Sequence, residues 1–256
     1  MAKQSALRIV KPTSAKRANV KRTRTQERKR LAVGINTEQG LLDAAERMFA
    51  EYGYEGTSLR TIADAADQHV GLMTYYFKTK EQLFDRVIHR RAAEMHRQRL
   101  AALKQVGFEA RTPVQLIRAI IWAYCGPMIK ARMGDSTQWQ AHVRIMASLM
   151  NQKRWVPLSR KHYDPCVAVF LEHYRRALPE VNFDSLLNAF SYVSSIMLYV
   201  CSFTDRFGEW KENQSQTEEE RLQVAIDDFM DFACAGFMTL AQKKNTGSER
   251  KIQVIV

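Results

Sequence analysis

The side chains best suited to specific chemistry lie in one short stretch, Thr57 to Phe77, which reads TSLRTIADAADQHVGLMTYYF and is followed by KTKEQLF. Its second half offers small apolar groups, hydroxyls and an imidazole, and the next residues add the ammonium groups of Lys78 and Lys80. Such groups bind the phosphates and base edges of nucleic acids. The stretch therefore predicts nucleic-acid binding.

Two short predicted helices position these groups. Thr57 or Ser58 caps the first helix, residues 67–68 form a turn, and the second helix covers about 69–76. Two short helices joined by a tight turn pack as a helix-turn-helix, and the second helix fits the major groove of DNA. A longer helix starts at Thr79, and we expect its first amides to meet phosphates.

An amphipathic helix precedes this pair. Thr37 is its predicted N-cap and Gly53 its predicted C′ residue, where a left-handed backbone ends the helix. Its apolar residues share one helical face: Leu41, Leu42, Ala45, Met48, Phe49 and Tyr52.

The block from Thr37 to Phe84 resembles the N-terminal domain of TetR-family transcriptional regulators. Four segments carry the resemblance: Phe49-Ala50-Glu51-Tyr52-Gly53-Tyr54, Thr57-Ser58, Ile62-Ala63 and Tyr76-Phe77-Lys78-Thr79-Lys80-Glu81. The rest of the chain resembles the family in size and all-helical character. The resemblance implies a homodimer, usually a repressor, in which a ligand-binding C-terminal domain changes the spacing of two recognition helices.

The resemblance also implies roles for single residues. One group faces bases: Val70, Gly71, Leu72 and Tyr75. A second group faces phosphates: Thr57, Thr74, Tyr76 and Lys80. Ser58, His69 and Lys78 complete the predicted DNA-binding set. The alternative for Tyr76 is that it packs, with Leu72 and Phe77, against the first helix.

Three positions depart from the usual pattern of the family. Asp67 replaces the turn glycine, Gln68 replaces a small apolar residue, and Thr74 replaces the usual tyrosine of the recognition helix. Asp tolerates a left-handed backbone better than most residues, so we expect the turn to form. The Thr74 hydroxyl has a shorter reach to a phosphate, and Tyr75 is the residue that can compensate.

Positive charge is concentrated at the N-terminus. Residues 1–36 hold eleven Lys or Arg and one Glu, or +10 of the net charge of +12, which leaves +2 for residues 37–256. A charge placed this way indicates a polyanionic partner. We expect a disordered arm that adds phosphate contacts and enters the adjacent minor groove. A solvated tail that only aids solubility is the alternative.

The remaining sequence predicts an all-α chain with a larger helical domain. Helices are expected near 113–132, 136–152, 165–177, 182–204 and 217–242. Asp164-Pro165 and Leu178-Pro179 mark boundaries, because proline restricts the residue before it. The predicted units are a basic arm at 1–36, a helix-turn-helix domain at 37–84, a ligand-binding and dimerisation domain at 85–242, and a tail at 243–256.

Two of these helices are candidates for dimerisation. Those near 182–204 and 217–242 are apolar on more than one face, whereas an outer helix of an isolated domain needs only one buried stripe. Following the resemblance, we predict a homodimer through a four-helix interface. A larger core within one chain is the alternative.

Residues 113–150 supply candidates for a ligand pocket, because this segment is rich in bulky, polarisable side chains. The candidates are Trp122, Cys125, Met128, Trp139, His142, Arg144 and Met146. Arg144 could anchor a carboxylate or phosphate, although a solvated helix face and simple core filling are the alternatives. The segment Pro157 to Pro179 is distantly similar to fatty-acid-responsive TetR-like regulators, which implies an unidentified, apolar, acyl-type effector.

Several function classes find no support in the sequence. Glycine-rich phosphate loops, His-Glu-x-x-His, Cys-x-x-Cys and Gly-x-Ser-x-Gly do not occur, so we expect neither an enzyme, a cofactor nor a metal. Four dispersed cysteines and a charged N-terminus favour a reduced, cytoplasmic protein. The apolar stretch 184–205 is too short to span a bilayer comfortably and is expected to be a buried helix. A basic membrane-associated or scaffolding protein, or a DNA-binding protein without a ligand, remains as an alternative.

Overall fold

The computed structural model describes residues 37–109, 111–134, 136–202, 208–210 and 215–242. Within these ranges the chain forms nine α-helices and no strand. They are α1 (37–52), α2 (Leu59–Ala65), α3 (Val70–Phe77), α4 (Lys80–Lys104), α5 (Pro113–Met133), α6 (Thr137–Met150), α7 (Val156–Ala177), α8 (Phe183–Ser202) and α9 (Glu218–Gln242). Short 3₁₀ turns cover Lys153–Trp155 and Gly208–Trp210. The predicted arm and tail, 1–36 and 243–256, lie outside the described residues.

Local backbone signals fix the first three helices. Gly53 ends α1 with φ +70°, as predicted. Ser58 caps α2, because its Oγ accepts from the Thr61 amide at 3.1 Å while Thr61 Oγ1 accepts from the Ser58 amide at 2.9 Å. Asp67 adopts φ +52°, which confirms that it replaces glycine in the turn. Thr37 is itself helical, so its prediction as the N-cap is wrong.

Helix α4 links the N-terminal helices to the rest of the chain. Thr79 is its N-cap, with Oγ1 accepting from the Gln82 amide at 3.2 Å. Its buried face begins at Leu83 and Phe84 beside the helix-turn-helix and continues to Leu103, where α4 packs on α5 and α7. A displacement of α4 would therefore move side chains both beside the helix-turn-helix and at the contacts with α5 and α7.

The C-terminal helices pack around α5 and α8, and most of their boundaries were predicted. Thr112 and Thr217 form capping boxes at the starts of α5 and α9. The predicted boundary at Asp164-Pro165 is wrong, because α7 continues through Pro165. Residues on both sides of this proline are buried in one face of α7, and their packing outweighs one missing backbone hydrogen bond: His162, Tyr163, Cys166 and Phe170.

Burial agrees with two further predictions. The four cysteines are free thiols, and all four are buried. Helix α8 is, among the described residues, the one helix with the length and hydropathy to cross a membrane. Half of its apolar window is buried within the protein, as is common for the core helix of a domain.

An aromatic cluster joins the two parts of the chain. Trp155, in the turn between α6 and α7, lies with its ring centroid 4.7 Å from that of Tyr54 and 4.9 Å from that of Phe84. Its neighbour Arg154 forms an ion pair with Glu55 in the turn after α1. The turn after α6 therefore packs directly against the N-terminal helices of the helix-turn-helix unit.

A buried ion pair fastens α1 to α4. Glu46 is 1% exposed, and its two carboxylate oxygens accept from Arg91 Nε and Nη2 at 2.7 Å each. Arg90 Nη2 donates to the same carboxylate at 2.8 Å. The Arg91 guanidinium also lies 5.4 Å from the ring centroid of Trp139 on α6. A bidentate pair of this kind fixes distance and orientation together, so it sets the angle between α1 and α4.

We predict that Glu46→Gln lowers the free energy of unfolding by about 3–5 kcal/mol, because it removes the buried counter-charge of Arg91 and leaves only the longer contact with the partly exposed Glu94 at 3.8 Å. The matched control is Asp43→Asn, which removes the half-exposed partner of Arg90 and should cost less than about 1 kcal/mol. Urea unfolding of both variants measures the difference. Equal stabilities would show that the Glu46 pair does not hold the helices together.

Candidate nucleic-acid interface and ligand cavity

Helix α3 presents one exposed face that carries most of the predicted base-contacting residues. Tyr75 is 77% exposed, and Val70, Gly71 and Thr74 are exposed beside it. Helical spacing of three to five residues brings these four residues together near the start and middle of α3. Met73 and Phe77 point the other way, into the core. The helix is thus anchored on one side and accessible on the other.

Gly71 keeps this face flat. A Cβ atom added there would meet no other atom within 4 Å, so internal packing does not require the glycine. The missing side chain instead allows another molecule to approach the backbone of α3 closely.

Leu72 and Tyr76 are only half-buried and pack against the core. The Tyr76 ring centroid lies 5.1 Å from that of Tyr75 and 6.0 Å from that of Phe77. The packing alternative for Tyr76 therefore accounts for much of its position, and only one edge of its side chain reaches the exposed face.

Thr57 does not join the exposed face, contrary to the predicted phosphate contact. It is 2% exposed, and its hydroxyl lies 2.8 Å from the carbonyl oxygen of Gly53 and 3.2 Å from that of Met48, to which it donates. The side chain thus satisfies carbonyls at the end of α1, where no helical amide is available. Ser58 is exposed, with its hydroxyl engaged as the α2 cap.

The junction between α3 and α4 has properties expected of a phosphate site. Lys78 is exposed and adopts φ +55° and ψ −53°, in a γ-turn that the Thr79 amide closes by donating to the Phe77 carbonyl. Strained backbone of this type concentrates at functional sites. The Lys80 ammonium lies 4.1 Å from the Tyr54 ring centroid, beside the first amides of α4. The two lysines and the helix dipole favour an anion here, and the Glu81 carboxylate already lies in the first turn of α4, where it accepts from Tyr54 Oη at 2.7 Å.

A cavity of about 210 Å³ lies between α4, α5, α6, α7 and α8. Of the predicted pocket residues, only Met128 and Met146 line it. Trp122 and Trp139 line shallower surface grooves.

The other pocket candidates are not cavity groups. Arg144 is exposed on α6, so its prediction as a pocket anchor is wrong and the solvated-face alternative fits. Cys125 and His142 are fully buried core residues that are not among those lining the cavity. Whether a residue faces the cavity depends on how its helix is rotated about the helix axis. The amino-acid composition of residues 113–150 does not specify that rotation.

Sequence reasoning missed Arg99, the buried cation of this cavity. It is 3% exposed; its Nε donates to the Tyr124 carbonyl at 2.8 Å, and its guanidinium lies 3.7 Å from the Tyr124 ring centroid. A signal was present, because Met95, Arg99 and Leu103 recur every four residues along the buried stripe of α4.

His142 is buried in a neutral form. Burial first, then the charges of Arg91 and Arg99, lower the pKa of His142 to about 3. Neither of its ring nitrogens has a hydrogen-bond partner, although its ring packs against Trp139 at 5.7 Å between centroids. Protonation of this ring therefore opposes the folded state.

Comparisons with known proteins agree with the helix-turn-helix assignment. A family model for bacterial regulatory proteins of the tetR family matches residues 41–87, and one for the tetracyclin repressor-like C-terminal domain matches residues 122–236. The HTH-type transcriptional repressor AcnR of Corynebacterium efficiens is 38% identical over 61 residues, which are 24% of this chain and 32% of AcnR. The match thus spans about a third of this curated relative.

Two solved structures share the fold. A tetR family transcription regulator from Shewanella sp. PV-4 is 17% identical with a TM-score of 0.52, over 77% of this chain and 97% of the other. A transcriptional regulator from Pseudomonas aeruginosa PAO1 is 14% identical with a TM-score of 0.54, over 79% and 93%. The matched families and relatives are regulators, in agreement with the prediction that the chain is not an enzyme.

We predict that His142→Leu flattens the acid dependence of stability. The folded-state pKa of His142 is depressed, so the unfolded chain binds the proton more readily, and the free energy of unfolding falls as pH falls from about 6.5 towards 3. The variant should remove up to about 1.4 kcal/mol per pH unit of that slope. Urea unfolding between about pH 7 and pH 4 measures it. The exposed His69, replaced by Gln, is the control, and a His142→Leu slope like that of the wild type would contradict the prediction.

Proposed function

Because this chain belongs to the TetR family of bacterial regulatory proteins, we propose that it is a transcriptional repressor that binds a palindromic DNA operator as a homodimer. The exposed face of α3 carries this proposal. Tyr75 holds a large ring almost entirely in solvent, next to a glycine that no packing requires. A helix whose outward face is small, apolar and hydroxyl-bearing suits the edges of base pairs in a major groove.

Phosphate contacts would flank this base-reading face. Lys78 and the first amides of α4 lie just beyond the C-terminal end of α3 and offer positive charge and backbone donors. The Thr74 hydroxyl is exposed and can donate one further hydrogen bond. The basic arm of residues 1–36 adds charge from the N-terminal side, where it would strengthen binding through counterion release.

The proposed dimer interface is formed by α8 and α9. These helices pack on each other and leave aromatic rings on their outer side, with Tyr192 63% exposed, Phe232 67% exposed, and Tyr199 similarly open. The exposed Gly236 lines the same apolar groove as Phe232 and permits close approach of another helix. An apolar patch of this kind marks an interface, and two copies related by a two-fold axis would form a four-helix contact.

The proposed effector would act through α4. Met95 and Arg99 line the cavity from α4, and the first turn of the same helix follows the recognition helix directly. A ligand that prefers one position of α4 changes the population in which two recognition helices match the operator. A protein that works on DNA in this way is expected in the cytoplasm.

We predict that Tyr75→Ala weakens operator binding about tenfold or more without lowering stability, because the ring is exposed and contributes contact only in the complex. The matched control is Tyr52→Ala, since Tyr52 is an exposed tyrosine on α1 in the same domain. Fluorescence anisotropy with the DNA upstream of the chain's own gene, at fixed salt and with competitor DNA, measures both affinities. Wild-type protein that forms no competitor-resistant complex, or equal affinities for both variants, would refute the proposed α3 contact.

We predict that Phe232→Glu shifts the purified protein from twice the monomer mass to the monomer mass and weakens operator binding, because a buried unpaired charge is costly at an apolar interface. Val156→Glu is the control for the mass, as Val156 is an exposed apolar residue of α7 outside this patch. Sedimentation velocity gives the masses. A Phe232→Glu variant that remains dimeric would place the interface elsewhere.

A further inference from the structure

We propose that the cavity between α4 and α8 binds a small amphipathic monocarboxylate, whose carboxylate pairs with Arg99. The ligand's role as effector rests on the proposed repressor function, whereas binding at the site does not.

Arg99 is a buried cation without a counter-charge in the described part of the chain. Its contacts are the Tyr124 carbonyl, the Tyr124 ring and, 3.8 Å from Nη2, the Met197 sulfur. A guanidinium has five N–H donors, and these contacts leave most of its fork unused. Arg91, two helical turns earlier, is buried to a similar degree but has Glu46 as its partner. A buried charge without such a partner is costly, and a bound anion would remove that cost.

Two further polar groups of the cavity wall are buried without a partner. Neither Tyr163 Oη nor Ser194 Oγ has a hydrogen-bond partner of normal geometry, although the Ser194 hydroxyl lies close to that of Tyr124, and all three residues line the same cavity as Arg99. A carboxylate accepts up to four hydrogen bonds through its two oxygens, so it can satisfy a guanidinium and two hydroxyls together. A few polar groups in an otherwise apolar pocket are the usual arrangement of a ligand site.

The rest of the wall selects an apolar body of limited size. Thioether and hydrocarbon side chains make up most of it, among them Met95, Met128, Met146, Met197, Phe190 and Leu198. An engineered cavity of 150 Å³ holds benzene, so about 210 Å³ accommodates roughly eight or nine non-hydrogen atoms. Hexanoate and benzoate have this size, whereas a long acyl chain does not fit the cavity as it stands.

Charge at the cavity mouth sets the orientation of the ligand. Asp164 is exposed there, together with Met150. Its carboxylate repels an anion at the mouth and so favours a ligand whose charge lies inside at Arg99. The same repulsion disfavours ligands with several negative charges, such as phosphate esters.

The experiment measures binding of hexanoate, benzoate and the neutral hexanamide to the full-length protein by titration calorimetry. We expect both carboxylates to bind and hexanamide to bind about tenfold more weakly or worse, because a hydrogen bond to a charged group is the stronger. Arg99→Met should lower hexanoate affinity to that of hexanamide. Arg144→Gln, which changes an exposed arginine of α6, should leave it unchanged.

A second variant keeps the test valid if Arg99→Met fails to fold. Tyr163→Phe combined with Ser194→Ala removes two unpartnered hydroxyls, so it should preserve the melting temperature and weaken hexanoate binding severalfold. No carboxylate binding to wild-type protein, or equal binding of hexanoate and hexanamide, would overturn the inference.

Operator binding, measured on the same preparations with and without hexanoate, separates the two proposals. DNA binding without carboxylate binding overturns this inference and leaves the repressor function standing. Arg99-dependent carboxylate binding without DNA binding supports the site and counts against the repressor. Binding of both, with operator affinity unchanged by hexanoate, overturns the effector role.

Discussion

The buried pair between Glu46 and Arg91 is the contact on which the arrangement of the molecule depends. It orients α1 on α4, and α1 supplies the apolar face that supports α2 and α3. Because both charges are almost fully buried, the pair tolerates little change of geometry without a large energetic cost. Arg91 also reaches Trp139 on α6, so one side chain relates the helix-turn-helix to two helices of the C-terminal domain.

Helix α4 carries two buried arginines on one face, and only Arg91 pairs with a buried carboxylate. Glu46 neutralises Arg91 and holds its side chain in place. Arg99 instead lines a cavity and forms no ion pair with an acidic side chain of the described residues. The two lie eight residues apart, about 12 Å along the helix axis. A ligand at Arg99 would thus act on the helix that the Glu46 pair ties to α1. The contact of Trp155 with Tyr54 offers a second physical link between the same domains.

Much of the fold was predictable from sequence because its signals are local. Gly53 must supply a left-handed backbone, Ser58 and Thr79 cap helices through neighbouring amides, and Asp67 replaces glycine at a turn. Each of these effects spans four residues or fewer, so no knowledge of distant contacts is needed. The exposed recognition face of α3 follows from the same short-range periodicity once its buried side is known.

Local sequence signals are therefore sufficient to specify the helices, their order and the family of the chain. Which side chains turn inwards depends instead on how helices that are distant in sequence pack on one another. Thr57 satisfies carbonyls of α1 instead of meeting solvent, Pro165 stays helical because its neighbours are buried, and Arg144 points outwards. Arg99 became a cavity group because α5 and α8 close over it, and no local pattern specifies where five helices leave a space.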